Sequence, residues 1–299
     1  MKIVCVLGGT GFVGDAIVRQ LSESGYMVKV VTRDCQKGKH LISLKNVQVI
    51  ECDIFNTSAL KQVIKSASAV INLIGILHEN KKISFDDIHA RLPETLAKIC
   101  AELGIPRLIH MSALQASNEA PSNYLRSKAK GEARVMQYAG KMHITIFRPS
   151  VIFGACDNFL NLFAKLIKIL PVILLAKPNA KFQPIYIGDV STAVVKALDD
   201  QRTFGEIYEL AGPNVYSLRE LIQLVAKALN RHRVIIGLSD KLSYLQAWGM
   251  ELLPIKMMTR DNVRSMEVDS ISHQHFPDYL DFKPKALEEV LPTYIHSKG

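Results

Sequence analysis

Three side chains near the middle of this chain have the types and spacing to move a proton beside a carbonyl group. Tyr124 and Lys128 stand four residues apart in Tyr124-Leu-Arg-Ser-Lys128, and on a helix such residues share a face. A free phenol titrates near pH 10, too high for a base at neutral pH. A neighbouring ammonium favours the phenolate, so the spacing predicts Tyr124 as a proton donor or acceptor with Lys128 lowering its pKa. Ser112 lies twelve residues upstream of Tyr124, just past the apolar run 108–111. At the carboxyl end of a strand its hydroxyl can hydrogen-bond a substrate carbonyl oxygen. The trio suits hydride transfer, with a coenzyme carrying the hydride and Tyr124 the proton.

The amino-terminal stretch supplies a place for such a coenzyme. Gly8, Gly11 and Gly14 follow the apolar run 3–7, and a helical pattern begins at Phe12. Strand, glycine turn and helix start bring backbone close to a pyrophosphate, with unpaired N–H groups facing the negative charge. Thr10, Phe12 and Val13 belong to the same turn. The spacing is Gly-x-x-Gly-x-x-Gly, not the Gly-x-Gly-x-x-Gly of most dinucleotide dehydrogenases. In adenine dinucleotide sites an acidic residue about 20 positions further on binds the ribose. Here Thr32 lies 18 positions past Gly14, with Arg33 next. An arginine there pairs with a 2′-phosphate, and Lys37 and Lys39 add positive charge. NADP(H) is therefore expected ahead of NAD(H). The competing reading makes Asp34 the ribose ligand. Asp53, followed by Ile54, ends the third apolar run, where its carboxylate can accept from an adenine amino group. Leu73, Ile74 and Gly75 end the fourth, where glycine permits close passage beside a cofactor.

The elements that must hold these residues alternate along the first half. Runs 28–31, 47–50, 69–73, 108–111 and 144–147 read as strands after the first. Stretches 12–24, 57–66, 93–103 and 124–140 read as helices. This alternation predicts an α/β fold, a Rossmann-type doubly wound parallel sheet, with ligands at the carboxyl ends of the strands. A coenzyme domain over 1–155 and a smaller substrate or partner lobe over 156–299, partly interleaved with it, are expected. In that lobe, 159–170 reads as an amphipathic helix. Asn161, Lys165 and Lys168 would share one face, with Phe159, Leu162, Phe163 and Leu166 opposite; a lid over the substrate cleft is its expected role, ahead of Lys165 and Lys168 touching anionic lipid. A strand is expected at 207–210, and Ser217 with Glu220 has the spacing of a capping box. Trp248, Met250, Met257 and Met258 are expected in the core, ahead of an apolar patch for a quinone, an isoprenoid or a partner subunit.

Composition narrows the partners. The chain has 299 residues, 48% of them hydrophobic, and a formal net charge of +9. The basic residues are scattered without interleaved aromatics, so nucleic-acid binding is not expected. The five cysteines form no C-x-x-C pair, which fits reduced thiols. His273 and His275 lack further ligands at metal-binding spacing, so no metal is expected. Lys165, Lys168 and Pro171 interrupt the most apolar stretch, short of the ~20 residues a spanning helix needs. With Met1 leading straight into the first strand, the expected location is cytoplasmic, or peripheral to the inner membrane.

The glycine turn, Asp53, the 72–75 turn, Ser112 and Tyr124-x-x-x-Lys128 together resemble the extended and atypical short-chain dehydrogenase/reductase superfamily. Arg148-Pro-Ser-Val-Ile-Phe-Gly154 is similar to that superfamily's segment lining the nicotinamide, which implies Pro149 and Val151 as cofactor contacts. Gln183-Pro-Ile-Tyr-Ile-Gly-Asp189-Val is similar to its later Asp-Val turn. More narrowly, His110-Met-Ser-Ala-Leu114, Tyr124 to Glu132, Phe182-Gln-Pro-Ile-Tyr186 and Met258-Thr-Arg-Asp-Asn-Val-Arg264 resemble the nucleotide-binding accessory subunits of respiratory complex I and their bacterial relatives. The resemblance implies a tightly held NADP(H), the superfamily's serine, tyrosine and lysine roles at Ser112, Tyr124 and Lys128, and association with a respiratory complex or membrane surface. Three functions follow as expectations. The first is an oxidoreductase acting on an apolar, quinone- or isoprenoid-like carbonyl or alcohol. The second is a cofactor-holding accessory subunit without turnover, and the third an epimerase or dehydratase. Met111-Ser-Ala lacks the serine run common in sugar epimerases, which weighs against a nucleotide-sugar substrate.

Overall fold

A computed structural model describes residues 1–80, 82–253 and 257–295. Its centre is a parallel sheet built from β1 (Ile3–Leu7), β2 (Met27–Thr32), β3 (Val47–Glu51), β4 (Ala69–Asn72), β5 (Arg107–Met111) and β6 (His143–Pro149). Short strands β7 (Ile152–Phe153), β8 (Val172–Leu175), β9 (Lys181–Phe182) and β10 (Ile185–Tyr186) follow, then β11 (Ile207–Leu210), β12 (Tyr216–Ser217) and β13 (Val234–Gly237). The large sheet has seven strands in the order β11-β6-β5-β4-β1-β2-β3. Its central strands β1 and β4 are apolar up to the Asn72 tip because helices cover both faces.

The helices are α1 (Phe12–Glu23), α2 (Lys39–Ile42), α3 (Thr57–Ile64), α4 (Leu92–Glu102), α5 (Asn123–Met136) and α6 (Leu160–Ile169). They continue as α7 (Ile187–Ala197), α8 (Leu218–Ala228), α9 (Asp240–Glu251), α10 (Arg260–Ser265) and α11 (Leu287–Ile295). One face of the sheet packs Val4, Val6 and Val30 against Ile17, Val18 and Leu21 of α1 and Val190 and Val194 of α7. The other packs Cys5, Leu7 and Val70 against Leu60 and Ile64 of α3 and Leu92 and Leu96 of α4. A third core joins α6, α8 and α11. The boundary expected at residue 155 falls between β7 and α6, while β11 and α7, from beyond it, complete the sheet and its cover.

The parallel register aligns the strand tips. Leu7 pairs with Val31 on one side and Asn72 on the other, and Asn72 pairs with His110. The chain runs from β1 outward to β3, then crosses back to β4. The switch in strand order therefore lies between β1 and β4, where open α/β sheets leave a ligand crevice.

Three expectations need correction. Helix α7 occupies the segment read as a turn, with Asp189 in its first turn. The buried stripe of α6 is Leu160, Ala164 and Ile167, rotated from the expected Phe159/Leu162/Phe163/Leu166 face. Asn161 turns inward to donate to the Asp157 carboxylate. Trp248 is not core; its side of α9 faces solvent, because the helix packs through its small residues Ser243 and Ala247.

Candidate active site

At the crevice, Gly8 has φ +81°, a conformation that only glycine adopts freely. This bend carries the Gly8 carbonyl to the Gly11 N–H at 3.1 Å and starts α1. A methyl group on Gly14 would overlap the Gly8 carbonyl oxygen and lie 2.5 Å from the Gly9 Cα, so helix and turn meet backbone to backbone. Gly11, the N-cap, offers no side-chain hydrogen bond to the first turn of α1, unlike the caps of α3, α5, α8 and α10. The amides of Phe12, Val13 and Gly14 are thus left for an anion. Burial works against the charge on Asp15 in that turn, but hydrogen bonds from Arg19 (2.8 Å) and His40 (2.7 Å) hold its carboxyl below the usual range.

Of the expected cofactor positions, Leu73 and Ile74 lie against this turn. A Cβ on Gly8 would stand 3.2 Å from both the Ile74 nitrogen and the Leu73 carbonyl carbon. Thr10 reaches toward Gly38 in the loop after β2, and Phe12 toward Gly154 after β7. At the tip of β2, the buried Thr32 hydroxyl accepts from the Asp34 amide at 3.2 Å. The Asp34 carboxylate caps the following turn by accepting from the Gln36 N–H at 2.9 Å. Arg33 beside it is exposed. Asp53 is exposed at the tip of β3, with one oxygen accepting from the Phe55 amide at 3.0 Å and Ile54 buried behind it. Pro149 ends β6, and its carbonyl accepts from Leu114; Val151 accepts from Ile185.

Ser112, Tyr124 and Lys128 come together from β5 and α5. Lys128 is buried; its Nζ donates to the Met111 carbonyl at 3.1 Å and lies 6.0 Å from the centre of the Tyr124 ring. The Ser112 hydroxyl is buried, and among the described residues it has no hydrogen-bond partner. Such an orphan costs about 1–3 kcal/mol unless a ligand satisfies it. The donor set, the glycine cradle and this orphan fit a pyridine dinucleotide with its substrate.

The protonation states differ from the expected ones. Burial pushes the Tyr124 phenol up to about 12. Burial also lowers Lys128 to about 8, only partly opposed by Glu132. Glu132 is itself held by Arg148 through contacts of 2.9 and 2.5 Å. Tyr124 is therefore a neutral phenol at neutral pH, a donor rather than a standing phenolate.

Three further residues shape the site. His89, from the π-helical turn Asp87–Arg91, stacks on Phe85 and meets the Tyr124 ring edge-on, with centroids 5.4 and 5.3 Å apart. Its Nε2 accepts from the Ile76 amide at 3.0 Å, so the proton sits on Nδ1 and is donated to Ser127 at 2.8 Å. Ser127 in turn donates to the Tyr124 carbonyl at 2.7 Å. Burial drives His89 down to about 2 and His110 to about 3, so both stay neutral. His110 accepts at Nδ1 from Asn72 (3.2 Å), which places its proton on the buried Nε2. Asp261 of α10 grips the start of α5, accepting from the amides of Asn123 (2.8 Å) and Tyr124 (3.0 Å). No spacing in the sequence links these residues to Tyr124, although the segment 258–264 stood out by resemblance.

A Rossmann sheet with a glycine turn at its switch point and a Ser/Tyr/Lys set beyond it defines an extended short-chain dehydrogenase/reductase type of protein. Residues 4–211 match the NAD dependent epimerase/dehydratase family, and the chain belongs to that family. It is 37% identical over 232 residues to the Arabidopsis thaliana mitochondrial protein "NADH dehydrogenase [ubiquinone] 1 alpha subcomplex subunit 9", a match covering 75% of this chain and 57% of that one. To the Mus musculus protein of the same name it is 30% identical over 298 residues, covering 96% of this chain and 78% of that one. In fold it is similar to a dTDP-glucose 4,6-dehydratase of Bacillus anthracis solved with NAD (TM-score 0.75, 18% identity, covering 99% of this chain and 96% of that one).

Proposed function

We propose that this chain holds NADP(H) in preference to NAD(H) and acts as an oxidoreductase on a carbonyl or alcohol of an apolar, quinone- or isoprenoid-like substrate. The observation that carries the reading is the buried, unpartnered Ser112 hydroxyl beside a neutral Tyr124 and a buried Lys128. When bound, the coenzyme supplies or accepts hydride. Ser112 orients the substrate oxygen, Tyr124 donates its proton to that oxygen in the reducing direction, and Lys128 holds the ribose. Tyr124 packs with Phe85, Ala113 and Val268 on one side, which supports an apolar substrate. Asp34 is committed to capping and Arg33 is exposed at the same tip, which favours a 2′-phosphate over a bare ribose.

The test titrates NADPH and NADH against the protein and against Arg33→Ala. A charge-assisted contact to the 2′-phosphate makes NADPH roughly tenfold tighter, and the substitution removes that margin alone. Equal binding of both coenzymes, unchanged in Arg33→Ala, overturns the preference. With quinones, sterols and small ketones as substrates, Tyr124→Phe is expected to abolish turnover.

A second reading has its own support. Similarity to a respiratory-complex subunit along 96% of this chain favours a cofactor-holding subunit that does not turn over. Tight NADPH binding, no oxidation with any carbonyl and co-purification with respiratory subunits would select it.

A further inference from the structure

The second half carries an apolar surface that the cleft does not use. Strands β8 and β13 pair as a parallel ribbon, Val172 opposite Val234 and Leu174 opposite Ile236. Ile173 and Leu175 point into the core, whereas Val172, Leu174, Val234 and Ile236 all face outward and are exposed. Helix α9 lies alongside: Gln246 donates to the Leu174 carbonyl, and Ser243 accepts from the Lys177 amide. This helix is inverted relative to an ordinary surface helix. It buries Ser243 and Ala247 and turns Leu242, Leu245, Trp248 and Leu252 outward, with Trp248 48% and Leu252 71% exposed. At 3.6 residues per turn these four fall on the side opposite Ser243 and Ala247. Ile169 and Leu170, at the end of α6 and just before β8, are exposed as well.

The segments that carry this surface are basic. The sequence holds no acidic residue between Asp157 and Asp189, or between Glu220 and Asp240. Within those spans, Lys165, Lys168, Lys227 and Arg231 are exposed. The acidic groups at the two ends of α9 are each paired with a cation, Asp240 with Lys177 at 2.9 Å and Glu251 with Arg260 at 2.8 Å. An apolar face with a tryptophan and a basic rim is the pattern of a protein seated in the headgroup layer of an anionic bilayer. A second copy of the chain fits less well, because pairing this face with itself would bring the two basic rims together.

We infer that the β8–β13 ribbon and the outer stripe of α9 form a seat on an anionic lipid surface, with the leucines, Ile236 and Trp248 in the acyl boundary and the lysines and arginines on the headgroups. The seat is tied to the cleft. Arg264 of α10 donates to Tyr244 of α9 at 3.0 Å, and Asp261 of the same short helix holds the Tyr124 amide.

Trp248 is the only tryptophan in the chain, so its emission reports this surface alone. The intact protein would be mixed with vesicles of pure phosphatidylcholine or of phosphatidylcholine with about 30% phosphatidylglycerol. The expected result is co-flotation with the anionic vesicles, a blue shift of Trp248 and its quenching by brominated acyl chains, all weakened by salt. Ile236→Glu with Leu245→Glu is expected to lower partition at least tenfold while circular dichroism and thermal unfolding stay unchanged. Lys165→Glu with Lys168→Glu should erase the preference for anionic lipid. Absence of a Trp248 shift on every vesicle, or partition indifferent to the glutamates, overturns the inference. So does a dimer in light scattering that Leu245→Glu dissolves, since a second copy would then own the face. Because none of these residues lines the coenzyme crevice, a failed seat and a failed coenzyme site give different results.

Discussion

Replacing Asp261 by alanine isolates the coupling between the second half of the chain and the tyrosine helix. The four leading amides of α5 lack partners within the helix, as at any helix start. Here the amides of Asn123 and Tyr124 donate to Asp261 and that of Leu125 to the Ser122 hydroxyl, and the helix's own ladder starts with Arg126 donating to the Ser122 carbonyl. Alanine removes two of these three capping bonds, along with a negative charge that favours the positive end of the helix dipole. Asp261 is only partly buried, so each bond is discounted for solvent to about 1 kcal/mol, for a total of about 2 kcal/mol. Unfolding entropy scales with length, giving roughly 0.6 kcal/mol per degree for a chain of 299 residues. The melting midpoint of Asp261→Ala is thus expected to fall by about 3 °C. Asp261→Asn keeps one acceptor and should lose about half as much. Asp281→Ala, which breaks only the exposed 3.3 Å contact with Lys196, should stay within about 0.5 kcal/mol of the parent. Once a substrate is found, Asp261→Ala should lower kcat with little change in coenzyme Kd, because the tyrosine loses its anchor and the glycine turn does not. Unfolding curves that superimpose for the parent, alanine and asparagine forms would refute the clamp.

Gly14→Ala places a methyl group against the Gly8 and Gly9 backbone; calorimetry should show coenzyme affinity lost and stability lowered by about 1–3 kcal/mol. Below pH 6.5 the unfolded chain protonates His89 and His110, whereas the fold holds them neutral down to about 2 and 3. The unfolded state then binds more protons, so stability falls with pH by up to about 1.4 kcal/mol per unit for each ring. Urea titrations that are flat between pH 5 and 7 would contradict that burial. Lys128 has the same sign at higher pH. With its pKa lowered to about 8 from 10.5, the fold holds fewer protons than the unfolded chain between those values, and stability rises across that window. Lys128→Met is therefore expected to be more stable than the parent at pH 7 by roughly 2 kcal/mol, a gain that disappears near pH 10.5.

Much of the sheet was legible before folding because its signals are local. An apolar run of four to six residues, a glycine bend, and Ser217 three positions before Glu220 each depend on near neighbours. The structure places strands and a full capping box there. Tyr124-x-x-x-Lys128 is readable for the same reason, since helical pitch alone puts the two on one side. Helix α7 was missed because eight of its eleven residues are buried, so apolar and small side chains lie round most of its circumference and it shows no long polar face.

Residue types and their order along the chain determined the alternating architecture, the coenzyme turn and the identity of the tyrosine pair. Folding alone decided what those groups do at neutral pH and who holds them. Ionisation depends on how much water burial removes, and no spacing reports that; hence the phenol is raised and the lysine lowered. Asp261 reaches Tyr124 across 137 residues, and His89 reaches Ser127 from a different helix, contacts that exist only once the layers have packed. The same holds for α6 and α9: a helix presents whichever face its neighbours leave uncovered, so the leucines and Trp248 of α9 point to solvent because Ser243 and Ala247 made the closer fit.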